Sequence, residues 1–281
     1  MITERAPAKV NLVLQVGPTR LDGLHEVGSL FASIDLEDQI TVEPHDGPAH
    51  EVICEGVEGP NLCQVALEAY ESASGTELPR LRVVIEKRIP IAAGMAGGSA
   101  DAAAVLRAAD RLAGSPLGPA GLRAMALQIG SDVPSQIEPA SALVAGAGDR
   151  VEPINLPAMA FVLVPSPDGL ATGQVFAEAD RLGSPRRRLD LDVLRAVAAA
   201  PLPILAAAME NDLEPAALSL RPGLVATLEA LESVGALGAQ VTGSGPTCFG
   251  VFDGEAEAGR AAAELADSGM AQAVVARLRQ N

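Results

Sequence analysis

The stretch PIAAGMAGGSADAA, residues 90–103, constrains the fold more than any other. It follows a strand-like run, RLRVVIEK (80–87), and leads into a small-residue helical pattern from about Ser99 to Ala113. Strand, glycine loop, helix is the order that turns the free N–H groups of a helix start toward an anion. Glycine admits positive φ and lets a ligand approach the backbone closely. The same trimming would also serve a helix start packed tightly against a neighbour. Two familiar phosphate patterns do not fit: no Lys follows the glycines, and G-x-G-x-x-G fails in this window.

Composition narrows the rest. The 281 residues suffice for one large domain or two modest ones. Hydrophobic residues are 48% but aromatics only 2%, with no Trp and one Tyr, so the core must be built from Ala, Val, Leu and Ile. Stacking sites have few candidates: Phe31, Tyr70, Phe161, Phe176, Phe249 and Phe252. The net charge of −16 argues against a nucleic-acid partner, which would need a basic face. It leaves room for an anionic small molecule held by backbone N–H groups and a few cations. Of 20 basic residues only Lys9 and Lys87 are lysine, which reads either as chance or as a need for a compact point charge at those two places. Cys54, Cys63 and Cys248 are odd in number and widely spaced, which fits a reducing compartment better than a disulfide or zinc framework. MITERAPAKVNLVL has no signal-peptide pattern and no run of about 18 uncharged apolar residues occurs, so the expectation is a cytoplasmic protein with no membrane contact.

Periodicity predicts strands at 8–16, 28–34, 39–43 and 80–87, with a glycine-containing turn over 20–29. It predicts helices at 61–74, 99–113 and 119–130, the last opening on Pro119 and stopping at Gly130. Pro153, Pro157, Pro165 and Pro167 mark a boundary near 150–160. Beyond it a strand at 160–164 precedes helices near 172–182, 190–199, 204–218 and 222–233. Strands at 237–241 and 247–252, a helix at 255–267 and a strand at 271–276 complete the chain. The order lacks the regular βαβ period, so the fold class is α+β, in two layered domains over 1–155 and 156–281. His45 and His50 read as surface residues.

Two further segments carry small-residue signals. GSDVP (130–134) sets Asp132 between breakers just past a helix, where an Asp is ordinarily a turn residue. VTGSGPTCFG (241–250) is a second glycine loop between strands, ordinarily a hairpin turn. Taken with Pro7–Leu12 (PAKVNL), Pro90–Ser99 and Gly243–Thr247, these segments resemble the GHMP kinase family over essentially the whole chain. DGLHEVGSLF (22–31), GMAGGSADAA (94–103), GSDVP, and Thr172 spaced four before Phe176 resemble one branch, whose substrate is the cytidine-diphosphate-linked alcohol CDP-methylerythritol. Other members, of homoserine or mevalonate type, or a catalytically silent nucleotide-sugar-binding relative, are the alternatives.

The resemblance implies a ribosomal-protein-S5-like N-terminal domain, a ferredoxin-like C-terminal domain and an active-site cleft between them. It implies phosphoryl transfer from ATP, with Mg²⁺, in a monomer or homodimer. Pro90, Ala92, Ala93, Gly94, Met95, Ala96, Gly97, Gly98 and Ser99 would wrap the ATP phosphates, with Asn61 and Lys87 near the nucleotide. Asp132 would be the general base and Lys9 its cationic companion. Asn11, Leu24, His25, Phe31, Thr172, Phe176, Gly243, Ser244 and Gly245 would bind the substrate. One position departs from the branch: Leu24 stands where an aromatic Tyr would stack on the cytosine.

Overall fold

Two unusually long strands, not a linker, organise the chain. The computed structural model describes residues 1–57, 59–270 and 272–280. Its elements in chain order begin with β1 (Ile2–Thr19), β2 (His25–Pro44), β3 (Glu51–Cys54), α1 (Leu62–Ser74), β4 (Leu81–Glu86), α2 (Gly97–Leu112), α3 (Gly118–Ala126) and α4 (Val133–Gln136). Then follow β5 (Ala142–Gly146), β6 (Arg150–Pro153), β7 (Ala160–Val164), α5 (Thr172–Leu182), α6 (Leu191–Ala198) and α7 (Leu202–Ala207). The chain ends with β8 (Glu210–Asn211), α8 (Glu214–Leu220), α9 (Leu224–Ser233), β9 (Gly238–Val241), β10 (Cys248–Phe252), α10 (Glu255–Asp267) and β11 (Val274–Arg277).

The chain forms two interleaved compact units. Unit 1 comprises 1–8, 36–90 and 96–139; unit 2 comprises 9–35, 91–95 and 140–281. The contiguous halves expected from the proline-rich passage cut the sequence differently. The reason is that β1 and β2, of 18 and 20 residues, are long enough to give their two ends to different cores. The separate strands expected at 28–34 and 39–43 are both parts of β2, and the turn before them shrinks to residues 20–24.

In unit 1, β4 pairs antiparallel with the end of β2 and parallel with β3. α1 and α2 lie together over an apolar core of Val83, Leu81, Ile40, Leu67, Val105 and Leu106. The run of alanines makes that possible: Ala100, Ala102, Ala103, Ala104, Ala108 and Ala109 are all buried, so α2 is embedded almost all round. The one tyrosine, Tyr70, is fully buried and donates its hydroxyl to Asp110 Oδ1 at 3.1 Å. His50 is not a surface residue: its side chain is 4% exposed, and Nδ1 accepts the N–H of Leu81 at 3.0 Å.

In unit 2, four antiparallel strands run in the order β11–β7–β10–β9. With α10 between β10 and β11, that is the split βαβ order of a ferredoxin-like domain. Apolar side chains from β7, β9, β10, α5, α8, α9 and α10 fill its core. The start of β2 pairs with β5, and β1 pairs parallel with β8. The helix expected over 204–218 is interrupted. Asn211 turns its amide to Val241 O (2.7 Å) and Gly243 O (2.8 Å), which draws residues 210–211 out into β8, and Pro215 opens a new helix. The final strand is shorter than expected, and residue 271, its expected start, lies outside the described residues.

Candidate active site

Lys9 and Asn11 sit two apart on β1, so both project to the same face. In unit 2 that face is buried: Lys9 is 4% exposed. Burying an ammonium is costly unless acceptors surround it. Lys9 Nζ donates to Asn11 Oδ1 at 2.6 Å and lies 4.6 Å from the centroid of the Phe31 ring, a cation–π geometry. Asn11 is itself fixed: Nδ2 donates to Ser29 Oγ at 2.8 Å, and the Ser29 hydroxyl donates to Val13 O at 2.5 Å. Thr242 Oγ1 accepts the Asn11 N–H at 3.1 Å.

The glycine loop enters this cluster through residues 91–95. The Lys9 N–H donates to Met95 O at 3.2 Å, and Gly94 O lies 3.5 Å from Lys9 Nζ and 3.4 Å from Thr242 Oγ1. Gly94 has φ +74°, and a Cβ there would overlap Thr242 O. Opposite it, a Cβ on Gly243 would lie 2.8 Å from Gly94 O and 3.5 Å from Lys9 Nζ. These two glycines exist because two backbones meet. Asn211 braces the far side of the turn, and Thr172 Oγ1 and Ser244 Oγ are 3.0 Å apart.

Unit 1 holds the remaining part of the loop. Ala96, at φ +56°, is the N-cap of α2 and makes no side-chain capping bond. The first N–H groups of the helix are thus left to other acceptors. A Cβ on Gly97 would press on Ile89 Cγ2 at 3.0 Å and Lys87 Nζ at 3.3 Å, so this glycine provides clearance. Gly98 differs: it is exposed, and its nearest neighbour would be Leu62 Cδ1 at 3.7 Å. Lys87 is held by Asp38 (2.5 Å) and Asp101 (2.9 Å). Burial pushes the Asp101 carboxyl up to about 7, against the pull of Lys87. Folding therefore takes up a proton at Asp101 between about pH 4 and 7, and the stability this contributes falls as pH rises through that window. Asn61 is the N-cap of α1, accepting the N–H of Cys63 at 2.9 Å. Asp132 is half-buried at the head of α4; its side chain makes no cap, and its carbonyl accepts from Ser135 Oγ at 2.8 Å.

The aromatic group of unit 2 is arranged differently from a simple sandwich. His25 stacks on Phe176, centroids 5.3 Å apart and planes at 27°. Its Nδ1 faces Gly17 O at 3.0 Å and its Nε2 faces Asp180 Oδ2 at 3.3 Å. One face of Phe176 is thus covered by His25. Leu24 is 47% exposed on the turn before β2. Phe31 lies beneath Lys9, packed on Ala142 and Val144.

Sequence reasoning missed Ser29, Thr242, Asn211, Asp38 and Asp101. For Asp101 a signal was present: it shares a helical face with Ala104, Val105 and Ala108, all buried, and a lone carboxylate on such a face needs a partner.

The model of the GHMP kinases N terminal domain matches residues 61–140, and that of the GHMP kinases C terminal matches 194–271. A 4-diphosphocytidyl-2-C-methyl-D-erythritol kinase of Salinispora tropica is 42% identical over 93% of this chain and 86% of its own. One of Saccharopolyspora erythraea is 43% identical over 97% and 90%. A crystal structure of 4-(cytidine 5'-diphospho)-2C-methyl-D-erythritol kinase aligns over all of both chains with TM-score 0.80 and 32% identity. The L. major mevalonate kinase, at 14% identity and TM-score 0.73, shares the fold. The chain belongs to the GHMP kinase family, in the branch formed by the 4-diphosphocytidyl-2-C-methyl-D-erythritol kinases.

Proposed function

We propose that this enzyme transfers the γ-phosphoryl group of ATP to the 2-hydroxyl of 4-diphosphocytidyl-2-C-methyl-D-erythritol, a step of non-mevalonate isoprenoid synthesis. The observation that supports this reading best is the buried Lys9–Asn11–Thr242 network closing on Gly94 and Gly243, because it joins all three family motifs. Phosphoryl transfer asks for alignment, charge neutralisation and a group to receive the alcohol proton. Asp132 takes that proton as the oxygen–phosphorus bond forms and ADP departs. Lys9 offsets charge on the transferred group, and Asn11 orients the alcohol. The N–H groups of Gly97, Gly98 and Ser99 receive the phosphates, with Pro90 and Ala92 to Ala96 shaping the approach; Asn61 and Lys87 lie near the nucleotide. Thr172, Phe176, His25 and Leu24 take the cytidine end, with Phe31, Gly243, Ser244 and Gly245 nearer the transferred group.

Mg²⁺ fits as a companion of the nucleotide, since such ions are held mainly by phosphate oxygens with one or two carboxylates. Among the described residues no group of three or more His, Cys, Asp or Glu is gathered to hold a metal. The ion supplies neutralisation of phosphate charge when bound. The partners in this reading are small molecules, not nucleic acid, with a monomer or homodimer in the cytoplasm. Side-by-side ADP release with the cytidyl alcohol, homoserine and mevalonate tests the reading: turnover confined to the cytidyl alcohol is expected, and faster turnover of either other alcohol would overturn it.

Two variants probe the two ends. Gly98→Ala is expected to stabilise the fold by about 0.4–1 kcal/mol, through the reduced freedom of the unfolded chain, while raising the Kd for MgADP. Opposite signs in a melting curve and a calorimetric titration separate phosphate approach from packing. Phe176→Ala removes the aromatic surface, each stacking pair being worth about 0.5–1.5 kcal/mol beyond area burial. It is expected to raise KM for the cytidyl substrate about tenfold and leave KM for ATP within twofold. Leu24→Tyr is expected to lower the cytidyl KM modestly. Equal effects of Phe176→Ala on both KM values would remove it from the cytidine site.

A further inference from the structure

A buried three-residue bridge in unit 1 carries no part of the chemistry above except through Lys87. Asp38, on β2, is fully buried. Its Oδ1 accepts the N–H groups of Arg88 (2.5 Å) and Ile89 (2.8 Å), and its Oδ2 accepts from Lys87 Nζ at 2.5 Å. Lys87 Nζ also donates to Asp101 Oδ2 at 2.9 Å, at the start of the second turn of α2. The other oxygen, Asp101 Oδ1, is buried with no hydrogen-bond partner.

The position of this bridge in the chain is informative. The glycine loop leaves unit 1 after Pro90 and re-enters it at Ala96. Asp38 fixes the backbone at 88–89, just before the exit, and Lys87 ties that point to Asp101, just after the re-entry. A Cβ on Gly97 would lie 3.3 Å from Lys87 Nζ, so the bridge lies against the helix start. A core chosen for stability alone gains little here, because well-packed apolar residues often match or exceed a buried ion pair. Two carboxylates share one ammonium here, so the second is compensated only by a proton, which Asp101 holds to about pH 7.

We propose that Asp38, Lys87 and Asp101 are positioning residues for the nucleotide loop: they fix the spacing of its two ends so that the N–H groups of Gly97 to Ser99 stand at the triphosphate. The proposal rests on the reading that residues 90–99 bind ATP phosphates. It has an electrostatic consequence. The charges facing Asp101 are Lys87 and Asp38; the thiols of Cys63 on α1 and Cys54 on β3, within electrostatic reach, are pushed up by burial and stay neutral near pH 7. An arriving polyanion adds negative charge beside a carboxylate already raised to about 7, so nucleotide binding takes up a proton there.

Calorimetry of the full chain with MgADP, in buffers of different ionisation enthalpy, tests this. Asp38, being fully buried, acts on nucleotide only through its neighbours. Asp38→Asn turns an amide donor or an uncharged oxygen toward Lys87 and is expected to raise the MgADP Kd and the KM for ATP about tenfold, with the cytidyl KM within twofold. Asp101→Asn retains an oxygen for Lys87 and is expected to abolish the proton uptake at pH 7. An unchanged Kd in folded Asp38→Asn, or unchanged proton uptake in Asp101→Asn, overturns the proposal; if Asp38→Asn does not fold, Asp101→Asn alone decides. Gly98→Val is the control for the underlying reading. If it leaves MgADP binding intact, the loop is not the phosphate site and both fall. If it abolishes binding while the two bridge variants bind and take up protons as the parent does, only the bridge proposal falls.

Discussion

Asp132→Asn is expected to fold, to bind ATP and the cytidyl alcohol normally, and to lose about 10²–10⁴ in kcat, the usual contribution of a positioned proton acceptor. The local structure makes this substitution clean. Asp132 lies at φ −88°, ψ −13°, a conformation open to asparagine, and its side chain does not cap α4. Its carbonyl, not its carboxylate, holds Ser135. Asparagine therefore keeps the shape and the backbone bonding and removes the carboxylate's negative charge, and with it the capacity to accept a proton. The two explanations of an aspartate between Gly130 and Val133 then separate by measurement. A turn residue would show a lowered melting temperature with kcat intact; a proton acceptor shows the reverse. Single-turnover rates distinguish loss of chemistry from slowed product release, and a rate near that of the parent enzyme would return Asp132 to the turn.

The sequence exposed local elements better than their assembly. α5, β7 and α10 fall at the residues expected, because each is an apolar pattern bounded by Gly or Pro signals. The helix forecast over 204–218 failed because Asn211 is recruited by carbonyls some 30 residues ahead, and no window of local periodicity contains that partner. The interleaving of the units was illegible for a similar reason: 18- and 20-residue strands read as shorter ones when their burial pattern changes midway. The two lysines were the most informative residues. Their scarcity left chance and point-charge need both open; Lys9 is buried among an amide oxygen and an aromatic ring, and Lys87 between two carboxylates. Glycine was ambiguous position by position. Gly94, Gly97 and Gly243 clear backbone or side chains, whereas Gly98 has room for a Cβ and is the one whose trimming the fold does not require.

Gly94→Ala is expected to reduce kcat/KM at least about 10²-fold, more than any single-methyl change elsewhere in the loop. The argument is steric and local to unit 2. The residue has φ +74°, a region in which an L side chain is strained, and the added methyl would overlap Thr242 O and lie 3.0 Å from both N and O of Gly245. Those neighbours cannot yield by turning a side chain, because both are backbone. Gly243 O on the same turn is held by Asn211, so the turn has no free direction in which to retreat. Residue 94 must move instead, and with it the carbonyls of Gly94 and Met95 that meet Lys9 and Thr242. Displacement of about 1 Å at a catalytic constellation is enough for a 10²-fold loss. The fold itself should lose only about 1–3 kcal/mol, the cost of one strained residue, so a folded but crippled enzyme is the expected product. Kinetics and a melting curve on the same preparation check it. Near-normal kcat/KM would mean that the docking of Gly94 on the Thr242–Gly245 turn does not set the geometry of the reaction.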